Sequence, residues 1–89
     1  VKTIAPYLKQ NTPNPFTQNT TIQYYLRADS RQGNLVIYGM DGRQVKSYAL
    51  GNGMNQVIIN AGSLPAGQYI YSLIIDGKKT DTKNMMLTR

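Results

Sequence analysis

The sequence predicts an all-β fold, an antiparallel sandwich of about seven strands, and three observations point to it. Apolar residues recur with a period of two in short runs. Each run is bounded by Gly, Pro, Asn or Asp, the residues that turn a chain. No stretch combines helical periodicity with capping residues. With 89 residues there is room for one core only, and a domain this small buries roughly 60–65% of its unfolded surface.

The elements follow in order. Thr3 to Gln10 forms a short edge strand through Ile4, Tyr7 and Leu8. Asn11-Thr12-Pro13-Asn14-Pro15 is irregular, because its two prolines prevent ladder pairing. Thr20 to Leu26 alternates, with Ile22, Tyr24 and Leu26 on one face. Ala28 to Gly33, containing Asp29, reads as a polar loop. Strands over Asn34–Gly39 and Arg43–Leu50 flank Met40-Asp41-Gly42. Gly51-Asn52-Gly53 turns the chain into a short strand, Asn55 to Asn60, built around Val57-Ile58-Ile59. Ser63-Leu64-Pro65-Ala66-Gly67 is a tight corner. Gln68 to Ile75 is the most apolar strand, with Tyr69, Tyr71, Leu73 and Ile75 on one face. Asp76-Gly77 leads into the last strand, Lys79 to Thr88.

The Met40-Asp41-Gly42 hairpin carries a register expectation. A two-residue loop pairs Ile37 with Lys46 and sets a charge opposite a core position. A three-residue loop with Gly42 in the left-handed region pairs Ile37 with Val45 and Leu35 with Ser47, keeping the apolar side chains together. The second is expected, with Lys46 on the other face. The predicted core is Ile22, Tyr24, Leu26, Leu35, Ile37, Val45, Val57, Ile59, Tyr69, Tyr71, Leu73, Met85 and Leu87. Seven short strands around such a core fit an immunoglobulin-like sandwich, and a partly open barrel would give a similar pattern.

The composition excludes most chemistry. The chain has no histidine and no cysteine, so nucleophile–histidine triads, thiol chemistry and His/Cys zinc sites are ruled out. All four acidic residues are aspartates. Asp41 and Asp76 precede glycines in turns, Asp29 sits in the polar loop, and Asp81 alone makes no acid–base pair. The expectation is a protein that is not an enzyme and takes no cofactor or metal. No apolar run approaches the roughly 20 residues that span a bilayer. The chain begins at Val1 rather than Met, which suggests a segment of a longer protein whose export signal lies elsewhere. The net charge of +6 is dispersed, with a cluster only in the last hairpin (Lys78, Lys79, Lys83), and lacks the aromatic–basic motif of an RNA-binding sheet. Nucleic acid is therefore not the expected partner. A basic surface suits approach to anionic lipopolysaccharide or acidic partners.

Four motifs in sequence carry a resemblance. Asn11-Thr12-Pro13-Asn14-Pro15-Phe16 followed by Thr20-Thr21-Ile22 resembles the N-x-P-N-P-F…T-x-I opening of the C-terminal sorting domains, type A, of proteins secreted by the type IX system of Bacteroidetes. Ile37-Tyr38 with Asp41-Gly42-Arg43-Gln44-Val45 looks like that family's I-Y-D-x-x-G-R-x-V hairpin, although Gly39-Met40 intervene before Asp41. Leu64-Pro65-Ala66-Gly67-Gln68-Tyr69-Ile70-Tyr71 is similar to its L-x-x-G-x-Y-x-Y corner. Lys83-Asn84-Met85-Met86-Leu87-Thr88-Arg89 resembles its closing K-x-M-x-L-x-K/R strand.

The resemblance implies a folded secretion signal. Residues 1–10 are then a linker with a first edge strand, and residues 11–89 the sorting domain. Such domains follow a cargo protein, are exported through the periplasm, and are recognised by an outer-membrane translocon, a shuttle protein and a surface sortase. The sortase usually removes the domain, and the cargo stays on the outer-membrane surface or enters the medium. The recognition residues implied by the motifs are Pro13, Asn14, Pro15, Phe16, Gly42, Arg43, Gly67, Tyr69, Lys83, Met85, Leu87 and Arg89. Phe16 and Tyr69 also read as core residues, and Gly67 as a turn glycine. A partner could pair with an exposed strand or read the last residues, and an open edge could also pair two copies. The alternative is a carbohydrate-binding or adhesive module of an extracellular protein, with Tyr7, Tyr25, Tyr38 and Tyr48 as candidates for an outward aromatic platform.

Overall fold

The alternating runs become seven strands in two antiparallel sheets: β1 (Tyr7–Leu8), β2 (Asn19–Leu26), β3 (Gly33–Gly39), β4 (Gln44–Leu50), β5 (Gly53–Asn60), β6 (Gly67–Ile75) and β7 (Lys78–Leu87). The structure, a computed structural model, describes residues 6–26, 33–51 and 53–88. Thr3 and Ile4 of the expected first strand, the polar loop around Asp29, Asn52 and Arg89 lie outside the described residues.

One sheet has the order β1-β2-β5 and the other β4-β3-β6-β7. Because opposed residues in a ladder share a face, each register fixes what points inward. In the smaller sheet Ile22 lies opposite Val57 and Thr20 opposite Ile59. In the larger one Leu35 lies opposite Leu73, Ile37 opposite Tyr71, and Tyr69 opposite Met85. These inward rows meet as a single core in which Ile22, Leu26, Leu35, Ile37, Ile59, Tyr71, Leu73, Met85 and Leu87 are fully buried. Each large apolar side chain buried this way contributes about 1.5–3 kcal/mol.

All but two of the expected core residues are buried; Val57 is half-buried and packs against the cluster. Val45 is a correction. It is 39% exposed, and the expected pairing does not hold along the β3–β4 hairpin: Ile37 lies opposite Lys46 and Leu35 opposite Tyr48. Next to the turn the three-residue loop is present, with Tyr38 opposite Gln44, Gly39 N–H bonded to Arg43 C=O at 2.9 Å, and Gly42 at φ +86°. A bulge at Val45 then shifts the register by one residue. The physical reason is packing. Without the bulge Ser47 and Ala49 face inward; with it Tyr48 and Leu50 do, and both pack against the core.

The core also takes residues that the alternation does not reveal. Leu8 and Phe16 are buried from irregular or two-residue segments. Ala61 and Leu64 are buried at a short 3-10 turn, Ala61–Ser63, which Asn60 caps by accepting the Gly62 N–H at 2.8 Å. The expected Asp76-Gly77 turn joins Ile75 to Lys78, with both turn residues at positive φ.

Candidate functional site

The last strand runs at the outer side of the larger sheet, where sequence alone leaves it an open edge. The structure covers that edge with the proline-containing segment. Phe16 N–H donates to Met86 C=O at 3.0 Å, and Thr88 N–H donates to Phe16 C=O at 2.9 Å. Met86 N–H donates to Asn14 Oδ1 at 2.9 Å, and Gln10 Nε2 donates to Asn84 C=O at 2.6 Å. Further along, Leu8 N–H donates to the Asp81 carboxylate at 2.9 Å. Two prolines in three residues keep the segment from forming a regular strand, yet Asn14 and Phe16 supply what β7 needs. Both X-Pro bonds, Thr12–Pro13 and Asn14–Pro15, are cis.

A buried polar network holds the covering segment from below. Asn11 donates its N–H to the Tyr71 hydroxyl at 2.9 Å, and its Nδ2 to Thr20 Oγ1 at 2.9 Å and Pro13 C=O at 3.1 Å. Thr20 Oγ1 donates to Pro13 C=O at 2.8 Å, and Tyr71 donates to Lys9 C=O at 2.9 Å. Desolvation pushes the Tyr71 hydroxyl up to about 12, against the opposing pull of the Asn11 N–H, with the Asp81 charge adding to the rise. Among the described residues no buried side-chain nitrogen or oxygen lacks a partner. Asn11, Thr20 and Tyr71 are therefore the residues that position the motif, although none is among the expected recognition residues. The sequence signals for Asn11 are that it opens the first motif and that it precedes two prolines closely, where a side-chain amide can satisfy backbone groups that have no ladder.

The other two motifs reach the same end of the sandwich. Gly67 lies opposite Leu87 and Gln68 opposite Met86, so the β6 corner abuts the end of β7. Gly67 sits at φ +151°, a conformation side-chain-bearing residues rarely adopt. The Tyr69 hydroxyl donates to Pro65 C=O and braces the corner. The β3–β4 turn follows Gly39, which lies opposite Tyr69, and Asp41 caps it by accepting the Arg43 N–H at 3.0 Å.

These pieces enclose a shallow cleft of about 200 Å³ lined by Asn14 from the first motif, Gln68 and Tyr69 from the third, Met85 and Met86 from the last, and Met40, one of the two residues that interrupt the second. Met40 is 62% exposed. Of the expected recognition residues Asn14, Tyr69 and Met85 line the cleft; Pro13, Pro15, Gly42, Arg43 and Gly67 are exposed but do not line it, and Phe16, Tyr69, Met85 and Leu87 are buried. Lys83 is set apart, half-buried opposite Tyr71 further along β7. The arrangement offers shape, methionine surface and amide groups, which suits recognition of another molecule.

The four tyrosines do not gather into a platform. Tyr7 and Tyr25 stack at 5.7 Å on the smaller sheet, Tyr38 lies on the larger sheet under Lys79 at 4.9 Å, and Tyr48 packs on the core. Among the described residues no three acidic, His or Cys side chains form a group able to hold a metal ion, and no helix is long and apolar enough to cross a membrane.

Comparison with known proteins then connects this geometry to a family. The family model described as "Secretion system C-terminal sorting domain" matches residues 12–87. No curated protein matches. Among solved structures, a Pseudomonas fluorescens alkylpurine DNA glycosylase, AlkC, bound to DNA containing an abasic site analog, is similar at 13% identity with a TM-score of 0.47. That match covers 96% of this chain but only 31% of the glycosylase chain.

Proposed function

The chain belongs to the secretion system C-terminal sorting domain family and so has a sorting role in type IX secretion, and we propose that it is read as a folded address label at the pole where its four motifs meet. In this reading an upstream cargo, joined through a linker that ends near β1, is carried across the outer membrane by the translocon and a shuttle protein. A surface sortase then removes the label, leaving the cargo on the surface or in the medium. The domain itself catalyses nothing.

One observation carries the reading: residues as distant in sequence as Asn14 and Met86, 72 positions apart, are assembled into one surface only when the sandwich is folded. Recognition through this pole would let the machinery distinguish a folded label from an unfolded tail. The proposed contact residues are Asn14, which lines the cleft, and the exposed turn residues of the motifs, Pro13, Pro15, Gly42, Arg43 and Gly67. Phe16, Tyr69, Met85 and Leu87 serve recognition by shaping the pole from beneath, and Lys83, further along β7, and Arg89 of the closing motif add positive charge for the machinery to read.

The test is a secretion assay in a type IX-competent bacterium, with a reporter carrying an inner-membrane export signal fused ahead of residues 1–89. The intact fusion is expected on the surface or in the medium. Met40→Asp and Gln68→Arg, both at exposed positions of the cleft, are expected to hold it in the periplasm, while Ser47→Asp on β4 leaves export unchanged. Circular dichroism of each purified chain confirms folding. An intact, folded fusion that stays in the periplasm overturns the reading.

A further inference from the structure

The edges of the two sheets are guarded unequally. β7 is covered by the segment from Gln10 to Phe16, and β1 is two residues long. β4 carries a bulge at Val45 and the cation Lys46, both features that discourage strand addition. Among the described residues β5 has no such guard. It pairs with β2 over eight consecutive positions without a register shift, contains no charge and no proline, and closes with Val57-Ile58-Ile59. Ile58 is 58% exposed on the outward face. It stands at the outer side of its sheet, and among the described residues no strand pairs with its far edge.

Charge singles out the same edge. The chain carries a net +6, and β4 and β7 hold Lys46, Lys78, Lys79 and Lys83. The strands of the β1-β2-β5 sheet hold no charged residue. Two copies meeting at β5 juxtapose no like charges along the strand, unlike copies meeting along β4 or β7.

The hydrogen bonds identify which backbone groups face away from β2. Ala61 N–H donates to Gln18 C=O at 2.7 Å, so in this register Ile59 and Val57 bond toward β2, and Gln56 N–H donates to the neighbouring Asn55 Oδ1 at 2.8 Å. Since ladder groups alternate in direction, the amides of Gln56 and Ile58 point to the free edge.

We infer that β5 is a pairing edge at which a second copy of this chain adds antiparallel, about a two-fold axis through Ile58. An axis perpendicular to the sheet keeps inward residues opposite inward residues. Centred on Ile58, it sets Ile58 against its own counterpart, Val57 against Ile59, and Gln56 against Asn60. Apolar side chains meet apolar ones, and the Gln56 amide meets an Asn60 amide whose Oδ1 alone is occupied, by Gly62 N–H. The overlap is short and buries less than the roughly 1,200 Å² of stable interfaces, so the association is weak and concentration-dependent.

Cysteine cross-linking tests the register, because the chain has no cysteine of its own. Opposed residues of a hydrogen-bonded antiparallel pair have Cα atoms about 5.5 Å apart, within the roughly 4.4–6.8 Å range of disulfides. Under mild oxidation Ile58→Cys is expected to form a covalent homodimer about tenfold faster than a Ser47→Cys control. Gln56→Cys and Asn60→Cys cross-link poorly alone but join when mixed. Sedimentation of the unmodified chain should show mass rising with concentration, and Ile58→Lys should abolish the rise. The inference is overturned if the unmodified chain stays monomeric to millimolar concentration, as it would if β5 served a strand of a different protein, or if Ile58→Cys oxidises no faster than the control. Neither readout depends on secretion, so the sorting role and this interface fail separately.

Discussion

The side-chain oxygen of Asn14 accepts the backbone N–H of Met86 at 2.9 Å, joining the proline-containing segment to the last strand. A strand edge that would otherwise be open is thereby closed by the chain itself, and the carboxamide does the work of a neighbouring strand's carbonyl. The arrangement makes the first and last motifs one structural unit, so a change in either should be felt in the other.

Replacing Asn14 with Ala frees the Met86 N–H at a solvent-accessible site. A loss of about 0.5–1.5 kcal/mol in urea unfolding is expected. Hydrogen exchange should show the Met86 amide losing protection while the Thr88 amide, held by Phe16 C=O, retains it. Unchanged protection at Met86 would mean that the bond does not hold the edge.

Asn11 is buried, and its loss should cost more. Asn11→Ala removes donors from Thr20 Oγ1 and Pro13 C=O in a dry environment, and a destabilisation of about 2–3 kcal/mol is expected. A thermal or urea unfolding curve measures it against Asn14→Ala. Equal costs for the two would contradict the buried network.

Tyr71 sets a pH dependence at the alkaline end. Burial, the largest cause, raises its hydroxyl to about 12 from its ordinary value near 10. A folded-state value above the unfolded one means that its contribution is complete below about pH 10 and is lost as pH rises through about 12. Stability should fall across this window in the native sequence. Tyr71→Phe, already weakened by leaving Asn11 N–H and Lys9 C=O unpaired, should lack this component of the fall. Parallel profiles for the two chains would sink the assignment.

The bulge in β4 predicts an asymmetry between neighbours. Val45→Ser, at an exposed bulge position, should change stability by no more than about 0.5 kcal/mol. Leu50→Ala, at an inward position created by the bulge, should cost on the order of 1–2 kcal/mol, below the range for full burial because Leu50 is only half-buried. A larger cost at Val45 would restore the unbulged register.

Gly67 provides a backbone test. Its φ of +151° leaves open space where a Cβ would sit, so Gly67→Ala meets no clash and any loss is conformational. About 1–3 kcal/mol is expected. In the secretion assay the substituted fusion should remain foldable but be exported less, since the corner beside Gln68 and Tyr69 shifts.

Much of this protein was legible in the residues by themselves. Period-two alternation in Thr20–Leu26 and Gln68–Ile75, with turn residues between the runs, determined the strands, the two-sheet class and most of the core, because alternation is local and survives without knowledge of neighbours. The absence of histidine and cysteine determined what chemistry is out of reach, and the order of four motifs pointed to the family. The tertiary structure alone decided the rest. It placed the bulge at Val45, because the choice between Ser47 and Tyr48 as an inward residue depends on space left by the opposite sheet. It buried Leu8, whose two-residue strand has no periodicity to read, and gave Phe16, already expected in the core, its backbone bonds to the end of β7. It closed the β7 edge with Asn14 and Phe16 and, among the described residues, left β5 without a strand on its far side, since an edge is defined by what the rest of the chain brings beside it, a non-local property that no single strand encodes.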